Sequence, residues 1–341
     1  MYKILVVGPN WVGDTVLAQP LFKRLHARHG ALALDVLAPA WTRPLLRRMP
    51  EVAEVLASPF GHGELRLGER VGLARQMERR GYDQAIVLPN AFKSALVPWL
   101  ARIRLRTGFV GELRQLLLND ARRLDEQALP RMAERFAHLA DEPGQVLELP
   151  LPPLALTSTS AQRAATLGRL RLTLERPVAC LCPGAEYGPS KRWPTAHFAS
   201  LAGELHARGL HVWLIGSHKD RALGEEIERA HAGKCLNLCG ATDLEGAVDL
   251  LACAQLVVSN DSGLMHIAAA LHRPLIALYG SSSPAFTPPL SFSAQVVKLD
   301  LSCSPCFARE CPLGHFDCMR RLSPELVLAR TDSLTALPLR A

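Results

Sequence analysis

The chain has 341 residues, 48% of them hydrophobic and 6% aromatic, with 39 Lys and Arg against 32 Asp and Glu for a net charge of +7. That composition describes an ordinary globular protein with apolar material for two cores. No window offers the run of about 18 apolar residues that a membrane span needs; the nearest, residues 94–105, is interrupted by Pro98, Arg102 and Arg104.

The opening residues turn polar after seven, which reads as a strand and not as a signal peptide. The expected compartment is therefore the cytoplasm, with the nine cysteines reduced. The positive charge is uneven: residues 1–150 hold 21 Lys and Arg against 16 Asp and Glu, or +5, leaving +2 for the rest. An excess in the first half fits an anionic lipid or membrane surface, or simply arginine-rich solvated helices, and both readings stay open. Nucleic acid is excluded as the weakest partner, since there is no dense basic block and no basic–aromatic motif.

In chain order, residues 2–8 are a short apolar, β-branched run, 14–30 have helical periodicity, and 32–39 are again strand-like. A helix over 64–81, a strand over 83–89 and a helix over 91–103 follow. Around residues 143–176 the pattern lapses, beginning with "PGQVLELPLPPLALTSTSAQ", which is rich in Pro, Ser and Thr and marks a linker or boundary. The rhythm then restarts: strand 176–184, helix 194–209, strand 210–217, helices 219–233 and 244–254, strand 255–261, helix 262–272, strand 273–280. Alternating strands and helices with near-continuous apolar strands predict an α/β protein of two Rossmann-like, doubly wound parallel sheets. The expected domains are residues 1–165 and 176–322, with a C-terminal helix in 323–341. Ligands of such sheets bind beyond the C-terminal ends of the strands, and a cleft between two halves is the expected active site.

Three junctions fall at strand ends. The first, "GPNWVGDT" (8–15), nearly spells a phosphate-binding loop, but Asp14 stands where the lysine belongs. A dinucleotide fingerprint is missing too, since only Gly8 and Gly13 are present. Asp14 reads either as a helix N-cap or as a base that takes a proton from an attacking hydroxyl. The second, "NDSGLMH" (260–266), runs from strand to helix. Gly263 permits close approach, and the free N–H groups of Gly263, Leu264 and Met265 suit an anion. Asp261 and Ser262 are cap residues or ligand contacts, and His266 is structural or catalytic. The third, "CPGAEYGPSKRWP" (182–194), carries Lys191 and Arg192, and a lysine there can neutralise a departing diphosphate.

A diphosphate site in the second half, faced by a carboxylate from the first, points to transfer from a nucleotide-diphosphate sugar. No Asp-x-Asp pair exists for a metal clamp. A helix N-terminus and Lys191 would meet the leaving charge without a divalent ion. A single acceptor-side base opposite the leaving group implies inversion through an oxocarbenium-like state.

The stretches at 8–25, 38–52, 88–103, 106–120, 182–194, 260–271 and 278–291 resemble the ADP-heptose:lipopolysaccharide heptosyltransferases, and more narrowly their heptosyltransferase II branch. The resemblance spans residues 3–291. It implies the two-domain GT-B fold and an inverting, metal-independent transfer of L-glycero-D-manno-heptose from ADP-heptose to the first heptose of the lipopolysaccharide inner core. It implies Asp14 as the base, and Lys191 with residues Asp261–Met265 as holders of the donor diphosphate. Gly184, Glu186 and His266 complete the expected donor set. The acceptor would be an anionic glycolipid at the cytoplasmic face of the inner membrane, met peripherally by the basic first half through Lys93, Arg106 and Arg114. In this family the C-terminal helix, here about 323–336, folds back across both domains. Heptosyltransferase I, another sugar transferase of the same family, a GT-B sugar-nucleotide epimerase and a non-catalytic glycolipid binder are the alternative readings.

"CSPCFARECPLGHFDC" lies outside the plainest form of that pattern. Cys303, Cys306, Cys311 and Cys318, with His315 in reserve, supply ligands enough for a structural zinc, although the later spacings are irregular. Buried free thiols, or a redox-labile loop, are the other readings. No cofactor is expected in catalysis.

Overall fold

The computed structural model describes residues 1–61, 64–231 and 233–335. The chain divides into two compact units, Met1–Pro153 and Leu154–Ala341.

The first unit is a parallel sheet of β1 (Tyr2–Val7), β2 (Leu32–Pro39), β3 (Glu54–Ser58), β4 (Gln84–Val87), β5 (Leu105–Phe109) and β6 (Asp120–Arg122). Its helices are α1 (Val12–Leu17), α2 (Gln19–Arg28), α3 (Arg43–Leu46), α4 (Leu67–Arg80), α5 (Leu96–Leu100) and α6 (Met132–His138). The strand order is β3-β2-β1-β4-β5-β6, so the winding reverses between β1 and β4, which pair with Val7 opposite Val87. Leu5, Leu37, Met77, Ala85 and Val97 pack one part of its core, and Val7, Val87, Leu117 and Leu118 another.

In the second unit the strands are β7 (Val178–Cys182), β8 (His211–Leu214), β9 (Leu236–Asn237), β10 (Leu256–Asn260), β11 (Leu275–Tyr279) and β12 (Ala294–Lys298). Its helices are α7 (Ser160–Leu170), α8 (Thr195–Ala207), α9 (Arg221–Ala230), α10 (Leu244–Cys253), α11 (Gly263–Ala270), α12 (Asp317–Arg320) and α13 (Pro324–Thr335). The order β12-β11-β10-β7-β8-β9 repeats the first unit's pattern, with the reversal between β7 and β10. These two strands and β11 are buried throughout, as helices on both faces require. In both sheets the reversal point lies at the carboxyl ends of two adjacent strands, where such folds bind ligands.

Several expectations shift. The division falls at Pro153, earlier than residues 165–176, because 154–170 belong to the second unit. Leu156 N–H donates to the Ala270 carbonyl, and Ser158 and Thr166 hydroxyls both bind the Asp249 carboxylate. The supposed linker contains α7, started by a Thr159–Gln162 capping box. The helix expected over 14–30 is two helices, parted at Ala18 just before Pro20, and α1 begins at Val12. The helix over 91–103 is a 3-10 turn, Phe92–Ala95, followed by the five residues of α5. α13 packs Val327 and Leu334 into the second unit's core; residues 336–341 lie outside the described residues. Among the described residues no helix is long and apolar enough to cross a membrane.

Candidate active site

At the reversal point of the first sheet, β1 ends in a turn whose Gly8 N–H donates to the Leu37 carbonyl of β2. A side chain on Gly8 would press against Val36 and Ala38 at 3.2 Å, so glycine lets the turn lie close to β2. Trp11, not Asp14, is the N-cap residue of α1, and its carbonyl accepts both the N–H and the hydroxyl of Thr15 at 2.9 Å. Asp14 is the third residue of the helix, half-buried, where the helix dipole favours a carboxylate. The capping reading therefore fails on position, because an N-cap side chain must precede the helix.

The proposed acceptor cations behave differently from one another. Lys93 is half-buried in the 3-10 turn after β4, and its carbonyl accepts from Arg70. Arg106 donates from Nε to the Leu117 carbonyl at 2.7 Å and from Nη1 to Ile103. Arg114 is fully buried, bonded to the Pro89 and Phe109 carbonyls and to Asn90 Oδ1, and burial lowers its pKa to about 10. Their work is internal: Arg114 ties the loop after β4 to the end of β5, and Arg106 holds the segment that follows β5. A side chain spent this way does not face a large acceptor, so both arginines leave the acceptor set.

At the reversal point of the second sheet, the loop after β7 and the turn after β10 come together. Lys191 Nζ lies 2.5 Å from Asp261 Oδ2, which also accepts the Ser282 hydroxyl at 2.5 Å. Asp261 is 5% exposed, so this is a nearly dry ion pair with a third, neutral partner. The sequence suggests a sugar hydroxyl or an amide as the partner of Asp261; the structure supplies Lys191 and Ser282. The ammonium also sits 5.0 Å from the centre of the Tyr187 ring. One bond to Asp261 leaves the ammonium with two further donors.

The loop carrying Lys191 is tightly located. Asn260 Nδ2 donates to the Pro183 carbonyl while its Oδ1 accepts the Trp193 N–H, clamping both ends of the loop to β10. Ser190 donates its N–H to the Arg309 carbonyl and its hydroxyl to that of Ala308, and Tyr187 donates to Phe307. Gly188 is required by contact: a Cβ there would meet the Arg309 carbonyl oxygen at 2.4 Å. Gly184 is packed as closely against the Asp220 carboxylate. Glu186 is exposed and ion-paired with Lys219.

α11 starts at Gly263 with Ser262 at its N-cap, and Ser262 makes no capping bond; its hydroxyl instead lies 3.2 Å from that of Ser259. Gly263 and Leu264 are partly exposed, and Met265 is buried. His266 is buried one turn in, with Nδ1 unpartnered. Burial lowers its pKa to about 4, against a smaller opposing pull from Asp261, so the ring is neutral at pH 7. Lys191, Asp261, Ser262 and His266 are thus gathered in one place, with Gly184 and Glu186 on the same loop as Lys191. Ser282, Asn260 and Tyr187 join them unannounced, although all three lie in the stretches that carry the resemblance.

The four loop cysteines are free thiols, and among the described residues no three His, Cys, Asp or Glu are arranged to hold a metal ion.

Residues 70–317 match glycosyltransferase family 9 (heptosyltransferase). The chain is 47% identical to a protein named lipopolysaccharide heptosyltransferase 2 of Escherichia coli K12, over 97% of this chain and 98% of that one. It is 46% identical to lipooligosaccharide heptosyltransferase 2 of Haemophilus influenzae, over 87% and 88% of the two chains. Among solved structures, E. coli ADP-heptose LPS heptosyltransferase II aligns with a TM-score of 0.90 at 45% identity, covering 98% of both chains. Each of the two units is accordingly one Rossmann-type domain of the GT-B fold. With the family match covering well over half its length and such relatives matched almost end to end, the chain belongs to glycosyltransferase family 9, the heptosyltransferases.

Proposed function

We propose that this glycosyltransferase moves L-glycero-D-manno-heptose from ADP-heptose to the first heptose of the lipopolysaccharide inner core, with inversion. The observation that carries the reading is near-half identity along the whole chain to lipopolysaccharide heptosyltransferase 2. Asp14 takes the proton of the acceptor hydroxyl as that oxygen bonds to the anomeric carbon. The bond from that carbon to the β-phosphate oxygen breaks, and ADP leaves with the electron pair. Lys191 and the N–H groups at the start of α11 meet the charge on the departing diphosphate, which is the chemistry a divalent ion supplies elsewhere. Asp261 and Ser282 hold the ammonium in position; neutral His266 keeps the floor of the site dry. The acceptor, an anionic glycolipid, suits the charge of +5 over residues 1–150 and a peripheral position at the cytoplasmic face of the inner membrane.

The test is ADP release from ADP-heptose with and without heptosylated Kdo₂-lipid A. Release that requires the acceptor supports the reading. Turnover without acceptor would replace it with epimerisation or hydrolysis, and no turnover with a binder.

A further inference from the structure

Of the five tryptophans in the sequence, Trp193 and Trp213 are buried at 2% and 3% exposure and Trp99, in α5, is 45% exposed. Trp11 and Trp41 are 43% and 55% exposed; Trp11 belongs to the turn that carries Asp14, and Trp41 reaches that turn from the end of β2. Trp11 is the N-cap residue of α1, three positions before Asp14, a spacing that places the two on one side of the helix start. Its backbone is pinned by the two bonds that Thr15 makes to its carbonyl. Trp41 lies in the 3-10 turn after β2, and its indole Nε1 donates to the Asn10 carbonyl at 3.2 Å. That bond satisfies the polar edge of Trp41 inside the turn and leaves much of its apolar surface to solvent.

Exposure alone does not set these two indoles apart, since Trp99 is as exposed; their placement does, Trp11 three residues before Asp14 and Trp41 bonded to the same turn at Asn10. A pyranose explains them. One face of such a ring is a patch of C–H bonds with its hydroxyls at the edge, so an aromatic surface can hold the face while a nearby base reaches a hydroxyl. We propose that Trp11 and Trp41 form an aromatic platform for the acceptor's terminal sugar, presenting its hydroxyl to Asp14. The proposal rests on the acceptor reading above and adds the residues that recognise the acceptor. It also gives the neutral part of acceptor binding to the indoles and the salt-dependent part to cations such as Lys93.

The experiment uses the full chain, ADP-heptose and a de-O-acylated, water-soluble heptosylated Kdo₂-lipid A. Trp11→Ala and Trp41→Ala should each raise the acceptor KM about three- to tenfold, the equivalent of one aromatic contact, equally at low and high salt. The donor KM should stay at the wild-type value, Tm should fall only by what a half-buried ring and, for Trp41, the bond to Asn10 contribute, and the Phe variants should recover most of the loss in acceptor KM. Acceptor-induced change in tryptophan fluorescence, read on the well-folding Trp11→Phe/Trp41→Phe double variant, should shrink against wild type. An unchanged acceptor KM in both Ala variants overturns the platform. So does a defect seen only with acylated acceptor in anionic vesicles, which would make the indoles a bilayer contact. Wild-type enzyme without acceptor-dependent ADP release overturns the functional reading and the platform together.

Discussion

The two reversal points are built alike and furnished differently. Each is a buried parallel strand running through a short turn into a helix, β1 into α1 and β10 into α11. At the first, Asp14 is a half-buried carboxylate in a turn that also carries half-exposed Trp11 and is bonded by half-exposed Trp41. At the second, the charged groups are an ammonium and a carboxylate 2.5 Å apart and nearly dry, held by Ser282, Asn260 and a loop tied at both ends. On the proposed mechanism the same backbone solution would serve two tasks. A base must reach and release a proton on a substrate that enters and leaves, which a partly exposed carboxylate allows. A counter-charge must already be in place when the leaving group departs, which bonds formed during folding would ensure.

The contrast breaks most sharply at Asp14. Asp14→Asn keeps the size and the helical position but cannot accept the proton. Acceptor-dependent turnover should fall about 10²- to 10⁴-fold, the usual contribution of a general base. Donor affinity, measured by ADP titration, and Tm should be nearly unchanged. A variant that keeps a tenth of wild-type turnover would remove Asp14 from the role.

Lys191→Ala tests the other side. Loss of one preorganised donor should lower kcat about 10²- to 10³-fold and raise the donor KM. Here stability should fall as well, by about 3 kcal/mol, because Asp261 is left in a buried position without its cation and with the Ser282 hydroxyl still bonded to it. Activity lost without stability at Asp14, and both lost together at Lys191, is the signature expected of the two designs. Equal Tm for the two variants, read by calorimetry, would erase the distinction.

Much of this was legible from residue patterns. The strands at the sheet centres announce themselves because burial on both faces demands apolar runs, as in "ILVV" of β1 and "LVV" of β10. The edge strands β3, β6, β9 and β12 do not, since they are short or half-exposed and carry polar residues. α7 was hidden by the prolines before it, although Thr159 and Gln162 spell a capping box. Lys191 and Asp261 could each be suspected from a loop–helix junction, but their pairing is a long-range contact between residues 70 positions apart. Arg106 and Arg114 show the same limit from the other side. An arginine in a basic half reads as a solvent-facing cation, and only the fold reveals that backbone carbonyls have claimed the guanidinium.

His266 gives a smaller effect, on stability rather than rate. Its folded pKa is about 4 against an ordinary 6.5, so between those values the unfolded chain binds a proton that the folded one refuses. Stability is therefore full above pH 6.5 and declines as pH falls toward 4, by up to about 1.4 kcal/mol per pH unit from this ring. Urea unfolding at a series of pH values should show the slope, and His266→Gln should flatten it by close to one proton. A slope that survives the substitution would assign the acid sensitivity to other groups.

The smallest effect belongs to the four cysteines, and the reason lies in what their loop contributes. The residues that brace the Lys191 loop are carbonyls: Phe307 accepts from Tyr187, Ala308 from the Ser190 hydroxyl, Arg309 from the Ser190 N–H. The thiols have other surroundings. Cys311 accepts the Phe316 N–H at 3.4 Å, and N–H groups from its own turn hold its pKa low. Cys318 is pushed up, first by burial and then by the nearness of Cys306, Cys311 and Cys303. Among the described residues these thiols are not arranged as a metal site, and a zinc bound there would brace the carbonyls through the loop. Free thiols predict that Cys303→Ser/Cys306→Ser leaves donor KM and Tm within the range of an ordinary surface change, about 0.5 kcal/mol. They also predict that protein purified without chelator carries far less than one zinc per chain. Stoichiometric zinc, lost together with donor affinity in that variant, would instead make the second reversal point dependent on a metal held behind it.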